Sequence, residues 1–417
     1  MSTQSSQHQP ESAIQQSAEP AHQGFTFRKL APNPFPHYRQ MREQHPVAYS
    51  QESKAWEVFR YDDIQIIVNN PTLFSSEQVI TNEAIAERRR KRREQGFDED
   101  EEFGRSLINA DPPRHRQLRS LITQAFTPRT IAQLAPRISD IVHEQLDKIA
   151  DNGAMDVIAD LSYPLPVTVI AEMLGIPSTD RAQFKRWSDA VISDEEDEAI
   201  AAGHEMNRYF KGILEQRRKQ SGTDLISELI ATDIEGEKLT EPELLSFCVL
   251  LLVAGNITTT NLIGNAILCF DEHPEVMDEI RAEPALLPGA IEEVLRYRSP
   301  VQLLIRAVTR DTVLGGQQLK AGDLVLPNLG SANRDETQFP DPDRFDIHRN
   351  PNRHVAFGHG IHFCIGAPLA RLEAKIALEI MLARFDNIKR DTSIPMEPVP
   401  STFIYSVKNL PITFRNA

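Results

Sequence analysis

Cysteine is scarce in this chain of 417 residues: there are three, Cys248, Cys269 and Cys364. An odd, sparse set builds no disulfide framework and fits a reducing compartment. No uninterrupted apolar run reaches the roughly 18 residues of a membrane span. The N-terminus lacks the charged-then-apolar pattern of a secretory leader. Positive charge is also in deficit, with a formal net charge of −15. An acidic chain is a poor general nucleic-acid binder, although local basic patches remain available for an acidic protein. No repeat period is visible. Together these absences predict a cytoplasmic protein with no membrane span and no nucleic-acid partner.

What is present is enough apolar residue, 40%, for a large core. Residues 1–24 are rich in Gln, Ser and Pro and are expected to form a disordered tail. The remainder, 25–417, is expected to be a single domain, mainly α with small β-sheets. Helices are expected over 34–44, 61–69, 128–152, 161–174, 179–193, 197–220, 224–232 and 367–385. Strands are expected over 47–49, 55–59, 299–306, within 313–329, and over 394–414. Residues 87–102 join a basic run to an acidic one and read as a solvated segment. Thr240-Glu-Pro-Glu243 resembles a capping box and opens a helix of some 30 residues, about 45 Å long. Its first half, Leu244–Ala254, is apolar on nearly every face and should be buried.

The most informative stretch is Phe357-Gly-His-Gly-Ile-His-Phe-Cys-Ile-Gly366. It places Cys364 at the end of a glycine-punctuated loop, directly before a helix. A thiolate there gains from the helix dipole and free N–H groups. Two plainer readings stand beside a ligand role. One is a small buried cysteine. The other is a zinc site, because His354, His359, His362 and Cys364 lie close together in sequence.

This stretch resembles the haem-binding signature of the cytochromes P-450, F-G-x-G-x-H-x-C-x-G, at Phe357, Gly358, Gly360, His362, Cys364 and Gly366. Three further segments resemble the same family, in its order along the chain. His115 and Arg119 match its H-x-x-x-R haem contacts. Ala254-Gly255-Asn256-Ile257-Thr258 resembles its oxygen-binding A-G-x-x-T, departing at Ile257, where members commonly carry Asp or Glu. Glu293 and Arg296 match E-x-x-R, with Arg344 as the expected third partner. Zinc explains none of these three.

The resemblance implies one P-450 fold enclosing haem b, with Cys364 as the axial metal ligand. It implies haem contacts from His115, Arg119, Arg306, Phe357 and His362. It assigns oxygen activation to Ala254, Gly255 and Thr258, and a fold role to Glu293, Arg296 and Arg344. A substrate pocket bordered by Val253, Val301, Leu303, Leu304 and Phe403 follows. The implied activity is O2-dependent monooxygenation of a lipophilic molecule such as a terpenoid, steroid or fatty acid. The chain has no flavin or iron–sulfur module, so a monomer served by a ferredoxin or flavodoxin-type donor and its NAD(P)H reductase is expected. A peroxide-driven peroxygenase and a non-catalytic haem-thiolate sensor remain as alternatives.

Overall fold

A computed structural model describes residues 33–81, 106–192, 196–234 and 237–417. The expected tail, 1–24, and the charged segment, 87–102, lie outside the described residues. The principal helices are α1 (Phe35–Gln44), α2 (Tyr61–Asn69), α3 (Arg114–Ala125), α4 (Ala135–Asp147), α5 (Pro164–Met173), α6 (Arg181–Ile192), α7 (Glu196–Lys219), α8 (Glu241–Glu272), α9 (Leu287–Tyr297) and α10 (Ala367–Arg384). The strands are β1 (Val47–Ser50), β2 (Ala55–Val58), β3 (Phe74–Ser75), β4 (Ala154–Asp156), β5 (Arg306–Val308), β6 (Leu324–Pro327), β7 (Phe385–Arg390) and β8 (Pro411–Asn416). They form a five-stranded sheet in the order β1-β2-β6-β5-β3 and a three-stranded sheet β7-β8-β4. In the first sheet β6 runs parallel to β2 and every other pairing is antiparallel.

Helix α8 carries the fold. Both halves of its capping box form: Glu243 N donates to Thr240 Oγ1 at 3.4 Å, and Thr240 N donates to the Glu243 carboxylate at 3.0 Å. By length and composition α8 is apolar enough to cross a membrane, but 72% of that window is buried inside the protein. Its apolar surface is thus satisfied by protein on nearly all sides. Glycines permit the tightest contacts. A Cβ at Gly255 would stand 2.8 Å from Ile170 Cδ1 of α5, and one at Gly264 would stand 2.7 Å from Ile158 Cδ1.

The expected helix 128–152 is broken into Pro128–Ala132, α4 and a short turn at Ala150–Asn152. Pro136 supplies no N–H to the carbonyl four residues earlier and restricts Ala135 before it. Likewise Pro164 and Pro166 divide 161–174 into a π-turn, Ile158–Ser162, and α5. Strands expected over 299–306 and 394–410 shrink largely to the isolated pairings Val301–Ile404, Leu303–Asn328 and Pro398–Val407. Prolines at 395, 398 and 400 remove the donors a ladder needs. The unexpected strand β7 follows α10 without a break signal.

Candidate functional site

The Cys364 loop owes its shape to two glycines. Gly358 and Gly360 have φ of +69° and +67°, the left-handed region that favours residues without a Cβ. A Cβ at Gly360 would also meet the Val68 carbonyl oxygen of α2 at 2.6 Å. Cys364 N donates to Phe357 O at 2.9 Å, closing the loop. Burial pushes the Cys364 thiol up. The N–H groups of Gly366 and Ala367 at the start of α10, with Arg119 and Arg371, pull the other way. The sulfur therefore sits in a partly prepared anion site, to which a metal cation would add the missing positive charge.

Four donors from three elements converge beside it. His115 and Arg119 stand on α3, Arg306 begins β5, and His362 lies in the loop. The His115 and His362 rings are 4.4 Å apart, edge to face. His115 is 2% exposed and its Nε2 has no partner among the described residues. His362 Nε2 lies 3.1 Å from Ser76 Oγ. Burial, then Arg306, His115 and Arg119, lower the His362 pKa to about 3. Burial also lowers the pKa of Arg306 against the pull of Asp111. Arg306 spends one N–H on its neighbour Ile305 O at 2.7 Å, and Arg119 spends one on Ile361 O at 3.0 Å. Asp111 shapes this corner: it accepts from the Ser75 hydroxyl and from Ser76 N at 3.0 Å, and its carbonyl accepts from His115 N.

Helix α9 fastens the loop's approach. Arg296 donates to both Glu293 oxygens at 2.8 and 2.7 Å. Its remaining N–H groups reach the carbonyls of Asn333, Pro342 and Arg344. Arg344 therefore contributes a backbone oxygen, and its exposed side chain is not the expected third partner. That guanidinium belongs to Arg349, 3.3 Å from Glu293, with Asn352 Nδ2 at 3.0 Å and Asp346 N at 2.9 Å. Asp346 and Arg349 are set in an irregular segment, so spacing alone did not distinguish the two arginines.

Sequence reasoning missed Glu292 entirely. Its carboxylate accepts from Arg371 at 2.6 and 2.8 Å and lies 3.0 Å from His354 Nε2. Arg371 also covers the Phe357 ring at 4.6 Å. This cluster ties α9, α10 and the loop together. It also separates the histidines of the zinc reading: His354 faces Glu292, His359 Nδ1 faces Asn69, and His362 faces Ser76. Burial pushes Glu292 up, but Arg371 and His354 bring it from 4.5 down to about 2. A depressed carboxylate stabilises the fold above its unfolded pKa and loses that contribution as pH falls through the folded one. The stability gap between this chain and Glu292→Gln should therefore narrow between about pH 4.5 and about pH 2. Urea midpoints across that range check it; a gap independent of pH would contradict the assignment.

Along α8 Leu250, Val253, Ala254 and Thr258 remain accessible on one side, with Leu245 and Val249 half-buried nearer its start. Spacings of three and four place the first four on one face. Thr258 Oγ1 donates to Ala254 O at 2.8 Å, so the threonine back-bonds within an unbroken helix. Gly255 is explained by its approach to Ile170 of α5. Val301, Leu303 and Leu304 are half-buried. Phe403 is 43% exposed, and its carbonyl accepts from Gln302 N at 2.8 Å.

The donor set fits haem. The sulfur would offer one metal ligand, while an orphaned imidazole nitrogen and two incompletely paired guanidiniums suit a pair of carboxylates. Charge-assisted hydrogen bonds of this kind contribute roughly 1.5–3 kcal/mol each. Arg306→Ala is therefore expected to lower haem retention about tenfold or more on dilution, the low end of that range. Haem transfer to apomyoglobin measures it, and unchanged transfer from both Arg306→Ala and Arg119→Ala would refute the role.

Comparison with known proteins places this geometry. Residues 167–414 match the family model described as Cytochrome P450. The putative cytochrome P450 YjiB of Bacillus subtilis (strain 168) is 43% identical over 388 residues, covering 90% of this chain and 93% of its own. The erythromycin C-12 hydroxylase of Saccharopolyspora erythraea is 39% identical over 363 residues, covering 84% and 87%. The crystal structure of CYP109E1 from Bacillus megaterium in complex with testosterone superimposes with a TM-score of 0.85. It is 41% identical and covers 93% of this chain and 99% of that one.

Proposed function

Because the chain belongs to the cytochrome P450 family, and is thereby a haem b monooxygenase, we propose that it hydroxylates a lipophilic small molecule of steroid, terpenoid or fatty-acid type. In this reading residues 25–417 act as one monomeric catalytic unit. Electrons come from a separate ferredoxin or flavodoxin-type donor with its NAD(P)H reductase. The single observation that carries the reading is the convergence of Cys364, held among N–H groups and arginines, with His115, Arg119, Arg306 and His362.

Haem b, when bound, supplies the iron chemistry that activates O2 and inserts one of its atoms into a C–H bond. The protein's part is positional. Cys364 would hold the haem iron through its thiolate, a ligand type that favours O–O cleavage. His115, Arg119, Arg306 and His362 would hold the propionates, and Phe357, under Arg371, packs the loop. The apolar stripe of α8, with Val301, Leu303, Leu304 and Phe403, orients the substrate and excludes water. A testosterone complex of a relative with 41% identity makes a rigid steroid the first compound to assay. Thr258 Oγ1 already donates to Ala254 O. Toward the pocket it would therefore act as an acceptor and hold the proton of a water.

Ile257 favours a second reading, peroxide-driven turnover. Ile257 is 7% exposed and carries no group that can pass a proton to Thr258. Peroxide arrives reduced and carrying protons, so it depends less on that relay. General acid–base groups contribute about 10²–10⁴-fold; Asn256 and Thr259, both buried, are the polar neighbours left to substitute. Dioxygen-driven turnover with a surrogate ferredoxin system is expected to waste electrons as peroxide, and Ile257→Glu to raise product formed per NADPH. Tight coupling in this chain, with no gain from the added carboxylate, would refute the relay argument. Absence of any product with either oxidant would refute the proposed enzyme reading.

A further inference from the structure

We propose that a groove about a quarter-turn around α8 from the Thr258 stripe is a second small-molecule site, for an uncharged lipophilic compound bearing a hydroxyl or carbonyl group. Its volume is about 700 Å³, within the range of drug-sized ligand pockets, about 300–1,000 Å³. The floor is Asn256, Ile257, Thr260 and Asn261 of α8, and Tyr163 and Trp187 stand on the walls. At 100° per residue these four α8 positions centre on a direction apart from that of Leu250, Ala254 and Thr258. Asn261 lies nearest the boundary between the two faces, and Val253 shares the groove's direction one turn earlier.

The chemistry of the lining selects the ligand. Asn261 is 4% exposed and lines the groove. An amide that lines a groove offers a donor and an acceptor to whatever enters. Its neighbours are already engaged. Asn256 Nδ2 donates to Ser188 Oγ at 3.3 Å, and Thr260 Oγ1 donates to Asn256 Oδ1 at 3.3 Å. The Tyr163 hydroxyl, near Asn256, has no well-formed partner of its own. The charges at the rim are largely matched. Lys185 pairs with Asp189 at 3.3 Å and covers the Tyr163 ring at 4.3 Å. Arg186 pairs with Glu205 at 3.4 Å, and Glu205 also accepts from Trp187 Nε1 at 2.7 Å. Glu198 and Lys408 also border the groove, but both are exposed at its solvent side; the interior presents an amide and apolar walls, which suit a neutral molecule with one polar end. A compound seated there touches Asn256 and Ile257, directly beside Thr258 in sequence, so its occupancy is felt by the segment that faces the haem.

Testosterone, a rigid neutral keto-alcohol, is the probe, applied to the haem-loaded protein. Ala201 lines the groove from its solvent side and is exposed, so Ala201→Trp fills the space without disturbing the core. Equilibrium dialysis is expected to show Ala201→Trp binding one equivalent fewer than the parent chain. Asn261→Leu should weaken that same equivalent at least tenfold. The haem absorbance change on titration reports the haem-side pocket separately and should be the same in the parent and Ala201→Trp. Equal stoichiometry in the parent and Ala201→Trp, or no testosterone bound by the parent, would overturn the second site. Loss of the haem absorbance response alone would bear on the proposed substrate class and leave this site standing.

Discussion

Replacement of Glu293 by alanine is expected to leave little folded, haem-retaining protein. The Glu293 and Arg296 side chains are 1% and 0% exposed. Each Arg296 nitrogen has an acceptor, and Glu293 also receives Asp346 N, Asn352 Nδ2 and Arg349. Removing one partner strands the other charge in the interior, which costs about 3–5 kcal/mol. That is a large part of the roughly 5–15 kcal/mol by which domains are stable. The segment so released, residues 333–352, leads straight into the Cys364 loop, and Val355 N is itself held by Asn333 Oδ1 at 2.7 Å. Arg344→Ala should be nearly neutral, because its backbone oxygen makes the contact and its side chain is exposed. Urea midpoints and haem content per chain measure both. A parent-like midpoint in Glu293→Ala, or collapse in Arg344→Ala, would contradict this account of the anchor.

Cys364→Ala is expected to abolish the thiolate-type absorbance of the reduced carbon monoxide complex and all O2-dependent turnover. No other sulfur is placed to substitute. Cys248 and Cys269 are fully buried within α8, and burial pushes both thiols up to about 12. Cys248→Ala and Cys269→Ala should keep the parent spectrum. Haem content must be measured alongside, because His115, Arg119, Arg306 and His362 remain in Cys364→Ala and can still retain some haem. A thiolate-type spectrum persisting in Cys364→Ala would show that the ligand lies elsewhere.

Local features were the legible ones. The Cys364 loop could be read because its glycines, its cysteine and the following helix are adjacent in sequence, and left-handed φ values at 358 and 360 need no distant partner. The capping box of α8 is legible for the same reason, and both of its hydrogen bonds form. Nonlocal choices were not legible. Arg344 and Arg349 lie five residues apart in an irregular stretch, and only the folded path turns one carbonyl and the other guanidinium toward α9. Glu292 sits beside the recognised Glu293, yet its partners, His354 and Arg371, are more than sixty residues away. The glycine of the α8 motif was read as chemistry, whereas Ile170 packs against the space it leaves. Proline breaks at 136 and 164 carried a signal in the sequence that apolar periodicity overrode.

The central claim is that one atom of O2 enters the product on a haem held by Cys364. It is tested most directly by turnover under heavy-isotope dioxygen in ordinary water, with a compound that shifts the haem absorbance. Mass spectrometry of the product should show a single labelled oxygen, and Cys364→Ala should give none. Unlabelled oxygen in the product of the parent chain, or labelled product from Cys364→Ala, would contradict the account.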